Sequence, residues 1–216
     1  MTLISSILKL SLGLGLGGTL PFPNDLARHV QYLDSSLELR GWEGAISSPL
    51  PVVPQAELWL RFGPVRGAVS FSANFAQGGL THPLYGNAGY SYTESELAAT
   101  VELIRNFGPI HAFVGPSFAW SRLSVNNQGD ASAFTGTFDG LGFGAEAGIG
   151  ILIPVGRKLD LGAEFYGRYQ PGALTDIWFD PEEGMLYESP GPQPGDRRGG
   201  FSTTGVGLRI IGGLNI

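Results

Sequence analysis

The chain has 216 residues and few charges: 13 Lys and Arg stand against 19 Asp and Glu, a formal net charge of −6. Charged residues make up 15% of the chain, compared with about 25% in an ordinary soluble domain. The 43% of hydrophobic residues excludes a disordered chain, and the lack of cysteine excludes a disulfide scaffold. The negative charge argues against a nucleic-acid partner. The length predicts a single domain, residues 1–216.

The first 20 residues contain one charge, Lys9, and superficially resemble a signal peptide. Between residues 8 and 16, however, leucine occupies every even position, and Lys9, Ser11, Gly13 and Gly15 stand between them. This period of two is the period of a strand. We therefore expect the first strand at residues 8–16, in an already processed chain.

Seven further segments alternate between apolar and small or polar residues in the same way. They are residues 56–62, 65–75, 96–103, 110–120, 140–151, 159–166 and 205–210. With the N-terminal segment, the sequence predicts eight strands. Short connections at residues 62–65, 107–110 and 154–157 alternate with long ones at about 18–55, 78–89, 124–136 and 171–199. In an up-and-down meander, this order places all tight turns at one end and all long loops at the other.

The polar face of the strands separates a soluble barrel from a membrane barrel. A soluble surface would be densely charged, but this chain has only two lysines, Lys9 and Lys158. Its polar positions hold mostly Gly, Ser and Ala with spaced charges, which suits the narrow lumen of an eight-stranded barrel. We therefore predict a closed antiparallel transmembrane β-barrel, because only a closed barrel satisfies the backbone of strands in hydrocarbon. The residues predicted to face lipid are Leu12, Leu14, Val69, Phe71, Val101, Phe143, Ile149, Leu161 and Leu208.

These features resemble the small eight-stranded outer-membrane barrels of the OmpA, OmpX and OmpW type. The resemblance covers nearly the whole chain, and residues 205–216 look like the C-terminal strand of that class. It implies a bacterial outer membrane, short periplasmic turns and long extracellular loops. The implied partners are the lipid bilayer, including lipopolysaccharide, and a protein bound through the loops.

Eight charged residues occupy inward-facing positions of the predicted strands. Buried charges are costly unless paired, so we expect them to form ion pairs that plug the lumen. A polar conduction path is the alternative, because paired charges also line narrow pores. The predicted lumen network comprises Glu57, Arg61, Arg66, Glu102, Glu146, Glu164, Arg168 and Arg209.

The long loops and the histidines are the other candidate sites. Residues 24–33 begin with an N-cap and predict a short amphipathic helix, and residues 37–42 resemble a strand extension. Asp176, Asp180, Glu182, Glu183 and Glu188 make the last loop acidic, but they lack the spacing of a Ca²⁺ loop. We predict no metal site and no cofactor. The aromatic residues near strand ends predict interfacial girdles; they are Trp59, Tyr90, Tyr92, Trp120, Tyr166 and Tyr169.

Three histidines occur, His29, His82 and His111, and none has the spacing of a catalytic triad. The sequence therefore predicts a protein that is not an enzyme. The favoured function is an envelope anchor or binding scaffold that acts through its extracellular loops. A narrow channel, or an OmpW-like conduit for small apolar molecules, is the alternative. A lipid-modifying outer-membrane enzyme is a third hypothesis.

Overall fold

A computed structural model describes residues 10–22, 24–128, 135–171, 177–180, 185–188 and 204–216. Within these ranges the chain forms eleven strands and one helix. In chain order they are β1 (Leu10–Pro21), α1 (Asp25–Leu39), β2 (Glu43–Ile46), β3 (Val53–Phe62), β4 (Val65–His82), β5 (Gly86–Phe107), β6 (Ile110–Gln128), β7 (Gly136–Val155), β8 (Leu159–Tyr169), β9 (Ile177–Asp180), β10 (Met185–Glu188) and β11 (Gly205–Asn215).

Eight of the strands form one antiparallel ring in which each strand is hydrogen-bonded to two neighbours. The order is β1-β3-β4-β5-β6-β7-β8-β11 and back to β1. The ring closes where β1 pairs with β11, with Leu12 opposite Leu214. The prediction of an all-β, up-and-down antiparallel ring of eight strands is confirmed. The short strand β2 adds to β4, and β9 pairs with β10 outside the ring.

Three tight connections lie at one end of the ring, which we call the turn end; the opposite end is the loop end. Phe62 pairs with Val65 and Phe107 with Ile110, so Gly-Pro pairs make two of the turns. Gly63 and Gly108 have φ values of 58° and 70°, a left-handed conformation that costs glycine little because it has no Cβ. The Gly-Pro sequences therefore fix the register of two hairpins.

Two predictions about the connections at the loop end are wrong. The segment at residues 78–89 is not a long loop, because β4 and β5 continue their pairing as far as His82 and Gly86. Residues 37–39 belong to α1, and the strand extension is Glu43–Ile46, which pairs with β4 from Thr81 to Gly78. The paired strands β2, β4 and β5 therefore extend further toward the loop end than the alternating apolar residues indicate.

Helix α1 begins where the sequence predicts, although it runs six residues beyond the predicted end at residue 33. The side chain of Asn24 accepts a hydrogen bond from the Ala27 amide at 3.0 Å, which satisfies one orphan donor of the first turn. Leu26, Val30 and Leu37 are buried in an apolar cluster that also contains residues of β4, β5, β6 and β7. The helix thus packs into the loop end of the ring. Among the described residues, no helix has the length and apolarity needed to cross a membrane.

The two faces of the ring have opposite polarity. All nine residues predicted to point outward do so, with exposed fractions between 41% and 75%. Most charged side chains of the same strands point inward and are buried: Glu57, Arg66, Glu96, Glu102, Glu146, Glu164, Arg168 and Arg209. The prediction of an aromatic girdle is largely wrong: Trp59, Tyr90, Tyr92 and Tyr166 are 0–4% exposed and lie inside, and Trp120 and Tyr169 are exposed on the outside. The first four occupy inward-facing positions in the alternation of their strands. Their side chains therefore point into the ring, although they lie near the strand ends.

Candidate functional site

The inner face of the ring carries three Arg–Glu pairs in direct cross-strand register. Arg66 on β4 lies opposite Glu102 on β5, Glu146 on β7 opposite Arg168 on β8, and Arg209 on β11 opposite Glu164 on β8. In each pair the arginine Nε donates to the facing carboxylate; the Arg168–Glu146 distance is 2.9 Å and the Arg209–Glu164 distance is 2.6 Å. Directly opposed charges of opposite sign stabilise a sheet.

Each of these arginines also reaches across the lumen to other strands. Arg66 donates to both Glu164 oxygens, at 2.6 and 3.1 Å, and Arg168 Nη1 donates to Glu96 at 3.2 Å. The planar guanidinium fork permits such multiple contacts. The lumen is therefore crossed by ion pairs as well as lined by them.

Arg209 connects the largest number of strands. Its Nη1 lies 2.5 Å from Glu57 Oε2 and 2.8 Å from Glu146 Oε1, and its Nη2 lies 3.6 Å from Glu102 Oε1. With the Nε bond to Glu164, this one side chain contacts carboxylates from β3, β5, β7 and β8. Removing it would therefore take one cation from four carboxylates, and Glu57 would lose its one described arginine contact.

The structure joins seven of the eight predicted residues, and Arg61 is the exception. Among the described contacts, Arg61 donates to the Gly63 carbonyl at 2.9 Å and to Asn106 Oδ1 at 3.3 Å, and it makes no ion pair. It lies beside the β3–β4 turn, at the end of the lumen and away from the carboxylates. Arg61 occupies an inward-facing position of β3, as predicted, but it lies closer to the turn end than the lumen ion pairs do.

Two residues of the network were not among the predicted set. His111 on β6 lies with Nε2 2.6 Å from Glu164 Oε1, and Glu96 on β5 is paired with Arg168. Both have the inward parity of their strands, so the same period could have found them. We call the complete set the lumen network: Glu57, Arg66, Glu96, Glu102, His111, Glu146, Glu164, Arg168 and Arg209.

The side chains of the lumen network are buried along its length. Its nine side chains belong to residues that are 0–4% exposed. A cavity of about 450 Å³ lies at the turn end, next to Arg61 and His111. Towards the loop end, the space beside Asp25, Glu94 and Glu96 measures about 20 Å³, room for about one water molecule. The network thus lies between an open vestibule at the turn end and this small space on its loop-end side.

A second polar layer lies inside the ring, nearer the loop end. The hydroxyl of Tyr166 donates to Gln55 Oε1 at 2.5 Å and contacts the hydroxyl of Thr19 at 2.7 Å. Gly207 faces this layer from β11, and a Cβ there would lie 2.3 Å from the Tyr166 ring. The period-2 glycines therefore make room for large inward side chains, and they are not a phosphate-binding motif.

Among the residues that the structure describes, the other candidates do not come together in a second site. His29 is buried edge-on against Tyr92, with ring centroids 5.2 Å apart. His82 Nδ1 accepts hydrogen bonds from the Leu84 and Tyr85 amides at 3.0 and 3.3 Å and so supports the β4–β5 turn. In the acidic loop, Asp176, Glu182 and Glu183 lie outside the described residues, and the side chains of Asp180 and Glu188 are not described.

Comparisons with known proteins and solved structures do not assign the chain to a family. No protein-family model matches the chain, and curated proteins give no match either. Among solved structures, the crystal structure of Neisserial surface protein A (NspA) matches with 10% sequence identity, covers 96% of each chain and has a TM-score of 0.39. This similarity assigns no family and no activity.

Proposed function

We propose that the protein is an integral outer-membrane β-barrel without enzymatic activity, sealed by its lumen network, that anchors the structures at its loop end to the cell envelope. The observation that carries this proposal is the polarity of the ring, which has charges inside and apolar side chains outside. Every strand of the ring contributes a large, exposed apolar side chain: Leu14, Leu58, Phe71, Val101, Val114, Ile149, Leu161 and Leu208. Soluble monomers rarely expose a continuous apolar surface of this extent.

The outward charges support the same proposal by their positions. On β6 the outer face is free of charge from Ile110 to Trp120, and the first charge is Arg122, which pairs with Asp139 at 2.7 Å. Eleven residues tilted by about 45° span about 25 Å, the height of the apolar band of outer-membrane barrels. Arg122 also lies 4.7 Å from the centre of the Trp120 ring. An exposed tryptophan beside an arginine is typical of the edge of a bilayer.

The loop end supplies the surface that such an anchor would present. Leu84 and Tyr85, at the tip of the β4–β5 hairpin, are 83% and 71% exposed, and Tyr85 stacks on Trp42 with ring centroids 6.4 Å apart. Exposed aromatic and apolar side chains on a supported turn are common in protein-binding surfaces. We therefore infer that the contact with a partner protein occurs at this end.

Planar-bilayer recordings test the proposal. We expect the reconstituted parent protein to be silent, and Arg168→Ala to conduct because it leaves Glu96 and Glu146 without their shared cation. Arg122→Ala is the matched control, since it removes an arginine from an exposed pair outside the lumen, and it should remain silent. Sustained ohmic conductance from the parent would instead establish a narrow channel and overturn the sealed lumen.

A further inference from the structure

The lumen network contains more acidic groups than basic ones. Its five carboxylates are Glu57, Glu96, Glu102, Glu146 and Glu164, and its three guanidinium groups are Arg66, Arg168 and Arg209. The excess is two negative charges, of which a protonated His111 would offset one. An uncompensated charge in a dry interior is so costly that the group binds a proton instead.

Among the described residues, the charged groups above and below the network leave an excess of acidic groups. At the turn end, Arg61, Arg157 and Asp160 line the same cavity; Arg157 is exposed to solvent, and Arg61 and Asp160 are a cation and an anion. At the loop end, the adjacent charged groups are Asp25 and Glu94, which are both acidic. The remaining strand of the ring, β1, presents mainly glycines to the lumen, and no described residue of β1 is charged.

Strand register distinguishes the carboxylates that lie opposite an arginine from those that do not. Glu102, Glu146 and Glu164 each lie opposite an arginine. Glu57 lies opposite Gly15 on one side and Ser70 on the other, and Glu96 lies opposite Ser72 and Ser121. Glu57 and Glu96 are therefore the two carboxylates of the network that lie opposite no arginine, and Glu96 is paired with Arg168 across the lumen.

Glu57 is the better placed of these two to hold a proton. Its single arginine contact is from Oε2 to Arg209 Nη1, and its buried Oε1 has no hydrogen-bond donor among the described residues. Glu146 Oε1 contacts the same Arg209 nitrogen, so two carboxylates converge on one cation. Glu164 has the opposite environment, because it accepts from Arg66, Arg209 and His111 and must be ionised.

We propose that the sealed lumen is a proton-binding site: the network holds at least one proton at neutral pH, and Glu57 carries it. The proposal rests on the sealed lumen inferred above. In the folded protein the acid O–H of Glu57 is directed into the network, and the unfolded chain releases this proton to water. Because the folded state then binds more protons than the unfolded state, stability falls as the pH rises. The sealed lumen thus binds a proton in the folded state, and the folded state is less stable in alkaline solution.

Infrared difference spectra of the full chain in lipid vesicles test the site directly. At neutral pH, the spectrum of the parent minus that of Glu57→Gln should contain the C=O stretch of a protonated carboxyl group. Glu43→Gln removes an exposed acid from β2, and its difference spectrum should lack that band. Absence of the band from the Glu57→Gln difference would overturn the proposal.

Urea unfolding at two pH values gives a second readout. Between roughly pH 6 and 9, the unfolding midpoint of the parent should fall, and that of Glu57→Gln should stay constant because the amide needs no proton. Glu164→Gln should lower the midpoint at both pH values, since it removes a charge that three cationic or donor groups require. A Glu57→Gln midpoint as low as that of Glu164→Gln would contradict the assignment.

Two further outcomes distinguish the proton site at Glu57 from the seal of the lumen. A parent midpoint that depends on Na⁺ or K⁺ concentration, without a protonated carboxyl band, would mean that a monovalent cation neutralises the lumen and would overturn the proposal. Conductance from the parent tests only the seal. If the parent conducts and the band persists, the sealed anchor fails and the proton site stands.

Discussion

Arg209 shows at the scale of one residue how the lumen is organised. A glycine, Gly17, lies directly opposite it on β1, and a Cβ at that position would lie 2.6 Å from the Cα of Arg209. The missing side chain lets the guanidinium group lie against the wall of a narrow ring. Its fixed fork then offers Nε and Nη1 to three carboxylates at 2.5–2.8 Å. A lysine could not reproduce this geometry, because its charge is a single point on a flexible stem.

Replacing Arg209 by alanine should therefore be among the most destabilising single changes in the lumen. Removing one partner of a buried ion pair costs about 3–5 kcal/mol, because the remaining charge is left buried and uncompensated. The free energy of unfolding in lipid vesicles, measured with urea, checks this value. Arg122→Ala is the control: it breaks an exposed pair with Asp139 and should leave the unfolding midpoint unchanged. Equal midpoints for the two variants would show that the lumen is hydrated.

Strand period predicted seven of the nine residues of the lumen network, and its one wrong inclusion, Arg61, has a physical cause. Period 2 tells which face of a strand a residue occupies, but it does not give the residue's height along the barrel. Height depends on the register between strands, which places Arg61 beside a turn and brings His111 to Glu164. His111 could have been found by parity, since it shares the inward face with Phe113, and Pro116 points outward.

Helix α1 illustrates the scale of one element. Its N-cap and apolar spacing predict a short helix, and tertiary packing extends it to Leu39. The buried residues Leu26, Val30 and Leu37 anchor it among inward side chains of the surrounding strands. Sequence could not predict this docking, because the cluster forms only where β4, β5, β6 and β7 extend above the alternating apolar segments. Unpatterned residues such as 78–82 are strand because their neighbours supply hydrogen bonds.

Leu26→Ala should release α1 from the loop end without unfolding the ring. Leu26 is fully buried, and truncating a buried leucine costs about 2–5 kcal/mol. The amides of α1 should therefore exchange with solvent more than about tenfold faster, and those of the ring strands should be unaffected. Leu39→Ala, on the same helix but 89% exposed, should change neither rate. Faster exchange throughout β4 and β5 would show instead that the helix and the ring unfold together.

At the scale of the whole molecule, the inverted polarity of the ring accounts for both the composition and the proposed location. Few charges are needed on the ring, because most of its buried charged side chains belong to one network and, in the proposed location, the outer face lies in hydrocarbon. Many glycines are needed, because the lumen must hold large side chains such as Trp59, Tyr166 and Arg209 within eight strands. A Cβ at Gly13, for example, would lie 2.2 Å from the Trp59 ring. The same sequence in a soluble barrel would expose its apolar belt to water.

Phe71→Arg tests this inverted polarity directly. Phe71 is 51% exposed near the middle of the outer face of β4, and an arginine at the midplane of a bilayer costs about 2–4 kcal/mol. We therefore expect the free energy of unfolding in lipid vesicles to fall by that amount. Ser72→Ala, on the inward face of the same strand, should cost far less. Leu84→Arg is the matched control, since it adds the same charge at a side chain that is 83% exposed beyond the apolar belt, and it should leave stability unchanged. If Phe71→Arg were as neutral as Leu84→Arg, the outer face would be in contact with water and the protein would not be a membrane barrel.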